Sequence, residues 1–451
     1  MSDEMNLSNL KHELQANDID VVRVLYPDIL GIPRSKDMLV SQMERTLAHG
    51  PAFCQGVWFT TTGGDVIDGR NSLSAGLPDF STRIDQATMR EAPWEPGVAY
   101  VIADAFDSDG TPTPIAPRTV LKKVLAQFAS AGLQPIAGPE LEFYLTDQDE
   151  DGTWKRAINK SGRVYMTGPL VDPDGVFLDM MRALDEFQIG VFAGNHEFSP
   201  SQYEINLWHS DALDAADRTF LFKMGVKEIA AQAGMLATFM GKPWNDEGGS
   251  GYHFHLSLND ANGDNVMAEG DDLTPAALNV IGGLIEHAAA LSAFTNPTVN
   301  AFKRLLPDGL APYRANWGYD NRSTMIRIPP ERGAGARIEL RIGDGAANPY
   351  IITAVVLAAA LDGLKRNLQP PAVSHDWTHE ETHTAVLPRT FTSALDALET
   401  DDAIKAILGE EIVETFVALK RNEIERYEAA VADPSTGDTT EWELNEYLLD
   451  Y

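Results

Sequence analysis

The stretch Gly138-Pro139-Glu140-Leu141-Glu142-Phe143-Tyr144 limits what this chain can fold into more than any other. A mostly apolar lead-in, Leu133 to Ala137, runs into two carboxylates separated by one residue. On a strand, alternate side chains share a face, so Glu140 and Glu142 stand side by side while Leu141 and Phe143 point the other way. Adjacent carboxylates repel and need either solvent or a cation. Solvent is the ordinary outcome for an isolated pair, because charged side chains are mostly exposed. Here, similar groupings recur with metal-ligand residue types each time.

His196-Glu197 and Glu204 form the second set; the intervening Ser199-Pro200-Ser201 predicts a turn that lets two antiparallel strands bring Glu197 and Glu204 together. The third is a glycine-rich turn, Gly248-Gly249-Ser250-Gly251, running into a strand with His253, His255 and Ser257 on one face. Glycines there let backbone approach a ligand closely. The fourth, Arg337-Ile338-Glu339-Leu340-Arg341, presents a carboxylate between two arginines, which an ion-pair ladder would also produce.

Charge adds an independent argument. Between Val299 and Arg341, Lys303, Arg304, Arg314, Arg322, Arg327, Arg332, Arg337 and Arg341 face only Asp308, Asp320, Glu331 and Glu339, in a chain whose net charge is −32. Such clustering suits bidentate capture of phosphate or carboxylate. Five glutamates with one imidazole suit Mg²⁺ or Mn²⁺ better than Zn²⁺. Metals beside arginines are the parts needed for phosphoryl transfer. Neither a Walker motif nor G-x-G-x-x-G is present. The acidic balance disfavours nucleic acid or an anionic membrane as partner. A lone cysteine, Cys54, permits no internal disulfide. The polar N-terminus and the absence of an apolar run near the ~20 residues of a membrane helix predict a cytoplasmic protein.

The pattern predicts a short helix over 6–17, strands at Ile19–Tyr26 and Ile29–Pro33 around a Pro27-Asp28 turn, a helix from Val40 to His49, and strand-like Trp58–Thr62 and Ala99–Ala105. A turn-rich boundary at 107–114 follows. Helices are then expected at Pro117–Ala131, Asp211–Ala233, Thr274–Phe294, Asn348–Lys365, and Asp402–Val431 with a break at Gly409; 259–273 reads as a loop or hairpin.

Across nearly the whole chain these residues resemble the glutamine synthetase family. The match runs through Gly138–Tyr144, His196-Glu197 with Gln202–Asn206, Met240–Pro243 with Gly249–Ser257, Asn296–Leu305, Asn321–Pro329, and Arg337–Arg341 on to Ala347–Tyr350. The ending, Trp442-Glu443 to Tyr451, is similar to the bacterial type I branch. The resemblance implies an α+β protein: a β-grasp domain over 1–112 and a catalytic domain over 113–451, with an antiparallel sheet forming a bifunnel site between subunits of a homo-oligomer, stacked hexameric rings making a dodecamer. It implies two or three Mg²⁺ or Mn²⁺ ions per site, one held by Glu142, Glu197 and Glu204 and another by Glu140, His253 and Glu339. It places ATP at His255, Ser257, Arg322, Arg327 and Arg337, and glutamate at Gly249, Arg304 and Arg341, with Arg322 and Arg304 catalytic.

Three departures bear on the substrates. Where the family has a flexible-loop glutamate, this chain reads Asp308-Gly309-Leu310-Ala311-Pro312; where it has an aspartate in an N-terminal turn, this chain reads Phe53-Cys54-Gln55-Gly56. Those two acids hold ammonium. Their replacement predicts an amine pocket at Leu310, Cys54 and Gln55 that takes carbon, and hence a glutamate–amine ligase forming γ-glutamylamides of polyamines or small monoamines. Gly248 replaces an asparagine that touches glutamate. The alternatives are a true glutamine synthetase using ammonia, a catalytically inactive structural member of the fold, and a carboxylate-bridged metal hydrolase. The type I adenylylation tyrosine is replaced by Ala385, ahead of Val386-Leu387-Pro388.

Overall fold

Alternation along two central strands builds the N-terminal part. The computed structural model describes residues 2–47, 50–69, 73–157, 163–307, 309–375, 377–378 and 381–451; His49 and Asp308 lie outside the described residues. Helix α1 (Ser2–Ala16) leads into β1 (Val21–Pro27), β2 (Pro33–Leu39), α2 (Met43–Leu47), β3 (Ala52–Cys54), β4 (Asp79–Ile84), β5 (Arg90–Glu91) and β6 (Val98–Phe106). The sheet order is β2-β1-β6-β4-β3, with β5 beside β6, and β1 runs parallel to β6. Val22, Val24, Ala99 and Val101 pack toward Leu14 and Met43, whereas Leu25, Tyr100 and Ile102 join the main core of the molecule. Period-2 patterning thus gives this strand-rich domain one private core and one shared with the rest of the chain.

The second part is built on β7 (Gln134–Gln148). It follows α3 (Pro117–Ser130) and precedes β8 (Trp154–Arg156), α4 (Val176–Glu186), β9 (Val191–His196), β10 (Gln202–Leu207), β11 (Ser210–Asp211), α5 (Ala212–Gln232), β12 (Leu236–Thr238) and β13 (Gly251–Asn259). A small hairpin, β14 (Ala268–Glu269) and β15 (Asp272–Leu273), leads to α6 (Pro275–Glu286) and α7 (Ala288–Thr295). Strands β16 (Trp317–Tyr319), β17 (Ile326–Ile328) and β18 (Ile338–Asp344) complete the sheet. Helices α8 (Pro349–Arg366), α9 (Phe391–Thr400), α10 (Asp402–Leu408), α11 (Glu410–Ala430) and α12 (Glu441–Tyr447) close the chain. The sheet order is β16-β17-β18-β13-β7-β10-β9, antiparallel except for β16 and β17, with β8, β11 and β12 also on β7. Leu141, Phe143, Tyr203, Ile205, Tyr252 and Phe254 are buried on the face that meets the helices. The opposite face is left for polar side chains. The molecule is α+β, as expected.

Three local expectations are corrected. Residues 29–32 are not a strand: the buried Asp28 carboxylate accepts from Ile32 N (2.9 Å) and Arg34 Nε (2.8 Å), which stabilises a turn and delays the second strand to Pro33. The stretch from Gln55 to Phe59 is a 3₁₀ helix whose first turn is capped by Cys54 Sγ, with Trp58 and Phe59 buried. The expected helix from Thr274 to Phe294 is two helices, α6 and α7, bent by 74°. The break at Gly409 between α10 and α11 is present, with φ +118°.

The bend between α6 and α7 carries a buried charge network. His287 sits at the junction, 4% exposed, with Nδ1 2.6 Å from Asp401 and Nε2 2.9 Å from Asp362. Both ring nitrogens face carboxylates, so both must donate, and only imidazolium can. Burial disfavours that charge, but Asp401 and Asp362 outweigh it and raise the His287 pKa. The folded value lies above the unfolded one near 6.5, so this stabilisation is complete below about pH 6.5 and is lost as pH rises through the folded pKa. The difference in melting temperature between wild type and His287→Gln should therefore be large at pH 6 and shrink toward pH 9, measured by calorimetry at both pH values. A constant difference would mean that the histidine is neutral.

Candidate active site

Cross-strand register assembles the site. On β7 and β10, Glu142 lies opposite Glu204. On β7 and β13, Glu140 lies opposite His253. On β13 and β18, His255 lies opposite Glu339, and on β17 and β18, Arg327 does. Glu197 enters from the turn after β9, where its N–H donates to Gln202 O at 2.8 Å. The result is three overlapping groups of potential ligand atoms, each within 4.8 Å: Glu142, Glu197 and Glu204; Glu140, Glu204 and His253; and Glu140, His255 and Glu339. All six expected metal residues converge. His253 Nδ1 is 3.8 Å from Glu140 and 3.9 Å from Glu339.

The two histidines differ. Arg337 Nε donates to His255 Nδ1 at 3.2 Å. This leaves the hydrogen of a neutral His255 on Nε2, which lies 3.2 Å from Glu140. His253 has no such arginine donor and is the better-placed open imidazole.

The carboxylates divide into two electrostatic classes. Burial raises Glu339, but Arg341, His253, His255 and Arg327 reverse this and hold it at about 2. Burial likewise raises Glu140, and the neighbouring His253 and His255 rings overcome it, leaving it well below the usual carboxylate range. Glu197 is pushed up to about 7, by burial and then by Glu142. Glu204 is pushed well up, by burial and then by Glu140, Glu142 and Glu197. Among the described residues, no cationic side chain lies within 4 Å of Glu142, Glu197 or Glu204. An oxygen-rich donor set lacking a countercharge fits a hard divalent cation.

The arginine pair around Glu339 is corrected: the partners are Arg327 Nη1 (2.6 Å) and Arg341 Nη1 (2.5 Å), not Arg337 and Arg341. Arg337 turns instead to His255 and Glu331. Arg304 is 7% exposed; its Nε and Nη2 are held by Asp344, Asn296 and the carbonyls of Ile342 and Gly343, while the residue still lines the cleft. Arg322 is exposed in the cleft. A Cβ on Gly249 would lie 2.4 Å from Arg304 Cγ and Cδ, so only glycine fits there. Gly248 donates to Ser199 Oγ and accepts from Tyr144 Oη.

These groups line one cleft of about 910 Å³, which also includes Leu310, 57% exposed. A smaller cavity of about 260 Å³ shares His255, Arg337 and Glu140 with it and adds Ser257. Its wall includes Phe192 and Trp208, stacked with centroids 4.4 Å apart. Cys54 and Gln55 line neither cavity; they sit at the end of β3 and the start of the 3₁₀ helix that follows it. Sequence reasoning missed Phe192, Trp208 and Gln202. Gln202 Nε2 donates to Glu142 and to Gly249 O, tying the acidic face to the glycine turn. Its place opposite Tyr144 on β7 would have been a usable signal.

An α+β chain that clusters acids and imidazoles beside arginines offers donors for a divalent cation and cationic groups for an anion in one cleft. Residues 114–445 match the family profile for the glutamine synthetase catalytic domain. The chain is 35% identical over 450 residues to glutamine synthetase of Halobacterium salinarum, covering 97% of this chain and 95% of that protein. It is 34% identical over 453 residues to that of Thermus thermophilus, covering 97% and 98%. It is also similar to a solved structure described as a GmaS/ADP complex, with TM-score 0.84, 31% identity, and 97% and 98% of the two chains covered. The chain belongs to the glutamine synthetase family, whose members are carbon–nitrogen ligases that use ATP and divalent metals.

Glu204 belongs to two of the three ligand groups. Glu204→Gln should therefore weaken Mn²⁺ binding at least about tenfold by calorimetric titration. Unchanged affinity would remove Glu204 from the donor set.

Proposed function

We propose that this enzyme joins the γ-carboxylate of glutamate to an organic amine, with ATP cleaved to ADP and phosphate. The observation that carries the proposal is Leu310, an exposed apolar side chain in the cleft, flanked there by Leu306 and Ala311 where the resemblance expects an ammonium-binding acid. Ammonium entering such a surface loses hydration without compensation. An alkylamine offsets that loss by burying carbon, at roughly 25 cal/mol per Å².

The roles follow the resemblance, and the residues concerned lie in or beside the cleft. Arg304, Arg341 and the Gly249 backbone hold glutamate; Arg322 and Arg327 receive the phosphates. His255, Ser257 and Arg337 bind the nucleoside side, next to the Trp208–Phe192 stack. The neighbour described as a GmaS/ADP complex supports an adenine nucleotide in this cleft. A γ-carboxylate oxygen attacks the terminal phosphorus of ATP and ADP leaves, giving γ-glutamyl phosphate. The neutral amine then attacks the acyl carbon, phosphate leaves, and the amine proton passes to a site carboxylate or to solvent. Mg²⁺ or Mn²⁺ held by Glu142, Glu197 and Glu204, and by Glu140, His253 and Glu339, would neutralise phosphate charge. Arg322 and Arg304 balance the developing negative charge.

The same reading divides the chain near residue 112 and makes it a cytoplasmic homo-oligomer of stacked hexameric rings. Cys54 and Gln55 would then reach the amine pocket of a neighbouring subunit, since they lie away from the cleft of their own chain. The relatives named glutamine synthetase favour ammonia as the second reading.

Phosphate release with ATP, Mg²⁺ and glutamate across an amine panel separates the two. Organic amines should exceed ammonium at equal concentration, and activity should rise toward alkaline pH as more amine is neutral. Leu310→Glu should shift the ratio toward ammonium by about tenfold, worth about 1.4 kcal/mol. Faster glutamine formation than formation of any γ-glutamylamide by the wild type contradicts the proposal.

A further inference from the structure

A second cavity, of about 380 Å³, lies where the N-terminal sheet meets α5 and the chain's last residues. Its walls are Arg23, Leu25, Pro33, Ser35 and Asp37 from β1 and β2, Phe220, Lys223, Met224, Lys227 and Glu228 from α5, and Asp450 and Tyr451. Most of its charges are committed to one another. Arg23 is bound by Asp37 and Glu95, and Glu228 accepts from Trp94 and Tyr100.

Lys223 and Lys227 are different. Spaced four residues apart, they share one face of α5. Lys223 Nζ donates to the carbonyls of Gly345 (2.8 Å) and Ala347 (3.3 Å). Lys227 Nζ donates to the carbonyls of Leu449 (3.0 Å) and Asp450 (2.7 Å). Each ammonium carries three N–H groups, so one on each has no acceptor among the described residues. Among the described residues no carboxylate lies within 4 Å of either, in a chain of net charge −32. Burial pushes Lys223 down to about 7 and Lys227 down to about 8; Lys227 further depresses Lys223, while Asp344 and Asp450 act from a distance to raise Lys223 and Lys227 respectively. Two half-buried lysines held only by backbone carbonyls, in a cavity that also presents Leu25, Pro33, Phe220 and Met224, match an oxyanion on a small apolar body.

The cavity is wired to the active cleft. Gly345 gives its carbonyl to Lys223 and its N–H to Ser250 O, next to Gly249. Asp344, the preceding residue, holds Arg304 Nε. On the other wall, Tyr451 O accepts from Phe239 N, two residues before Gly241, whose carbonyl accepts from Ser250 N.

We propose that this cavity is an effector site for a small anion carrying a carboxylate or phosphate group, which bridges Lys223 and Lys227 and alters how firmly the 343–347 segment holds Arg304 in the cleft. The full-length enzyme should show saturable thermal stabilisation by inorganic phosphate or by succinate, at concentrations up to about 20 mM, beyond that of sodium chloride at equal ionic strength. Whichever of the two saturates lower identifies the headgroup. Lys227→Gln should weaken that binding at least about tenfold. Ser35→Trp, which fills the cavity from the exposed strand β2 and leaves both lysines in the sequence, should abolish it. The thermal shift needs no assumption about the reaction, so it stands or falls apart from the amine assignment. In wild type the bound anion should also change the KM for the acid substrate at least about twofold, and Ser35→Trp should remove that change. Absence of saturable stabilisation, equal stabilisation of wild type and both variants, or binding that leaves KM unchanged would each overturn the proposal.

Discussion

The register of β7 between β10 and β13 is the constraint on which the site depends. It sets Glu142 against Glu204 and Glu140 against His253, and through β13 it sets His255 against Glu339. Slipping either pairing by one residue would send the carboxylates into the core and Leu141 and Phe143 into the cleft. The apolar face prevents that slip. Leu141, Phe143, Tyr203, Ile205, Tyr252 and Phe254 are each at most 2% exposed, and each such side chain stabilises its placement by roughly 1.5–3 kcal/mol. The hydrophobic face therefore holds the carboxylates together against their mutual repulsion.

That repulsion is not uniform, and the asymmetry has chemical use. Glu339 is bracketed by Arg327 and Arg341, so its charge is already balanced. Among the described residues Glu142, Glu197 and Glu204 have no cation within 4 Å, and burial together with like charge raises Glu197 and Glu204 against a weaker pull from Arg322 on Glu197. The cleft sets carboxylates that attract cations beside Arg304, Arg322, Arg327 and Arg341, which attract anions. A reaction that moves a phosphoryl group onto a carboxylate needs both kinds of group at once.

Much of this was legible because strands have period two. Glu140 with Glu142, His253 with His255, and Glu339 with Arg341 could be placed on common faces from spacing alone, and the two-strand turn joining Glu197 to Glu204 was readable from Ser199-Pro200-Ser201. Contacts set by long-range packing were not. Arg327 reaches Glu339 through β17, Phe192 and Trp208 stack across separate segments, and His287, where the helical pattern breaks, meets Asp362 of α8 and Asp401 between α9 and α10. Trp58 and Phe59 look like strand residues by type, yet the cap from Cys54 makes their segment a 3₁₀ turn. The two lysines of the second cavity gave no signal in sequence, since i,i+4 lysines on a helix are usually solvated.

The central claim is that the acid-rich face of β7, β10, β13 and β18 exists to hold divalent cations. Anomalous diffraction from crystals soaked in Mn²⁺ tests it most directly. The account predicts peaks within roughly 2.6 Å of ligand atoms, one among Glu142, Glu197 and Glu204 and one among Glu140, His253 and Glu339. Occupancy confined to other acidic patches of the surface, with neither triad bearing a peak, would contradict it.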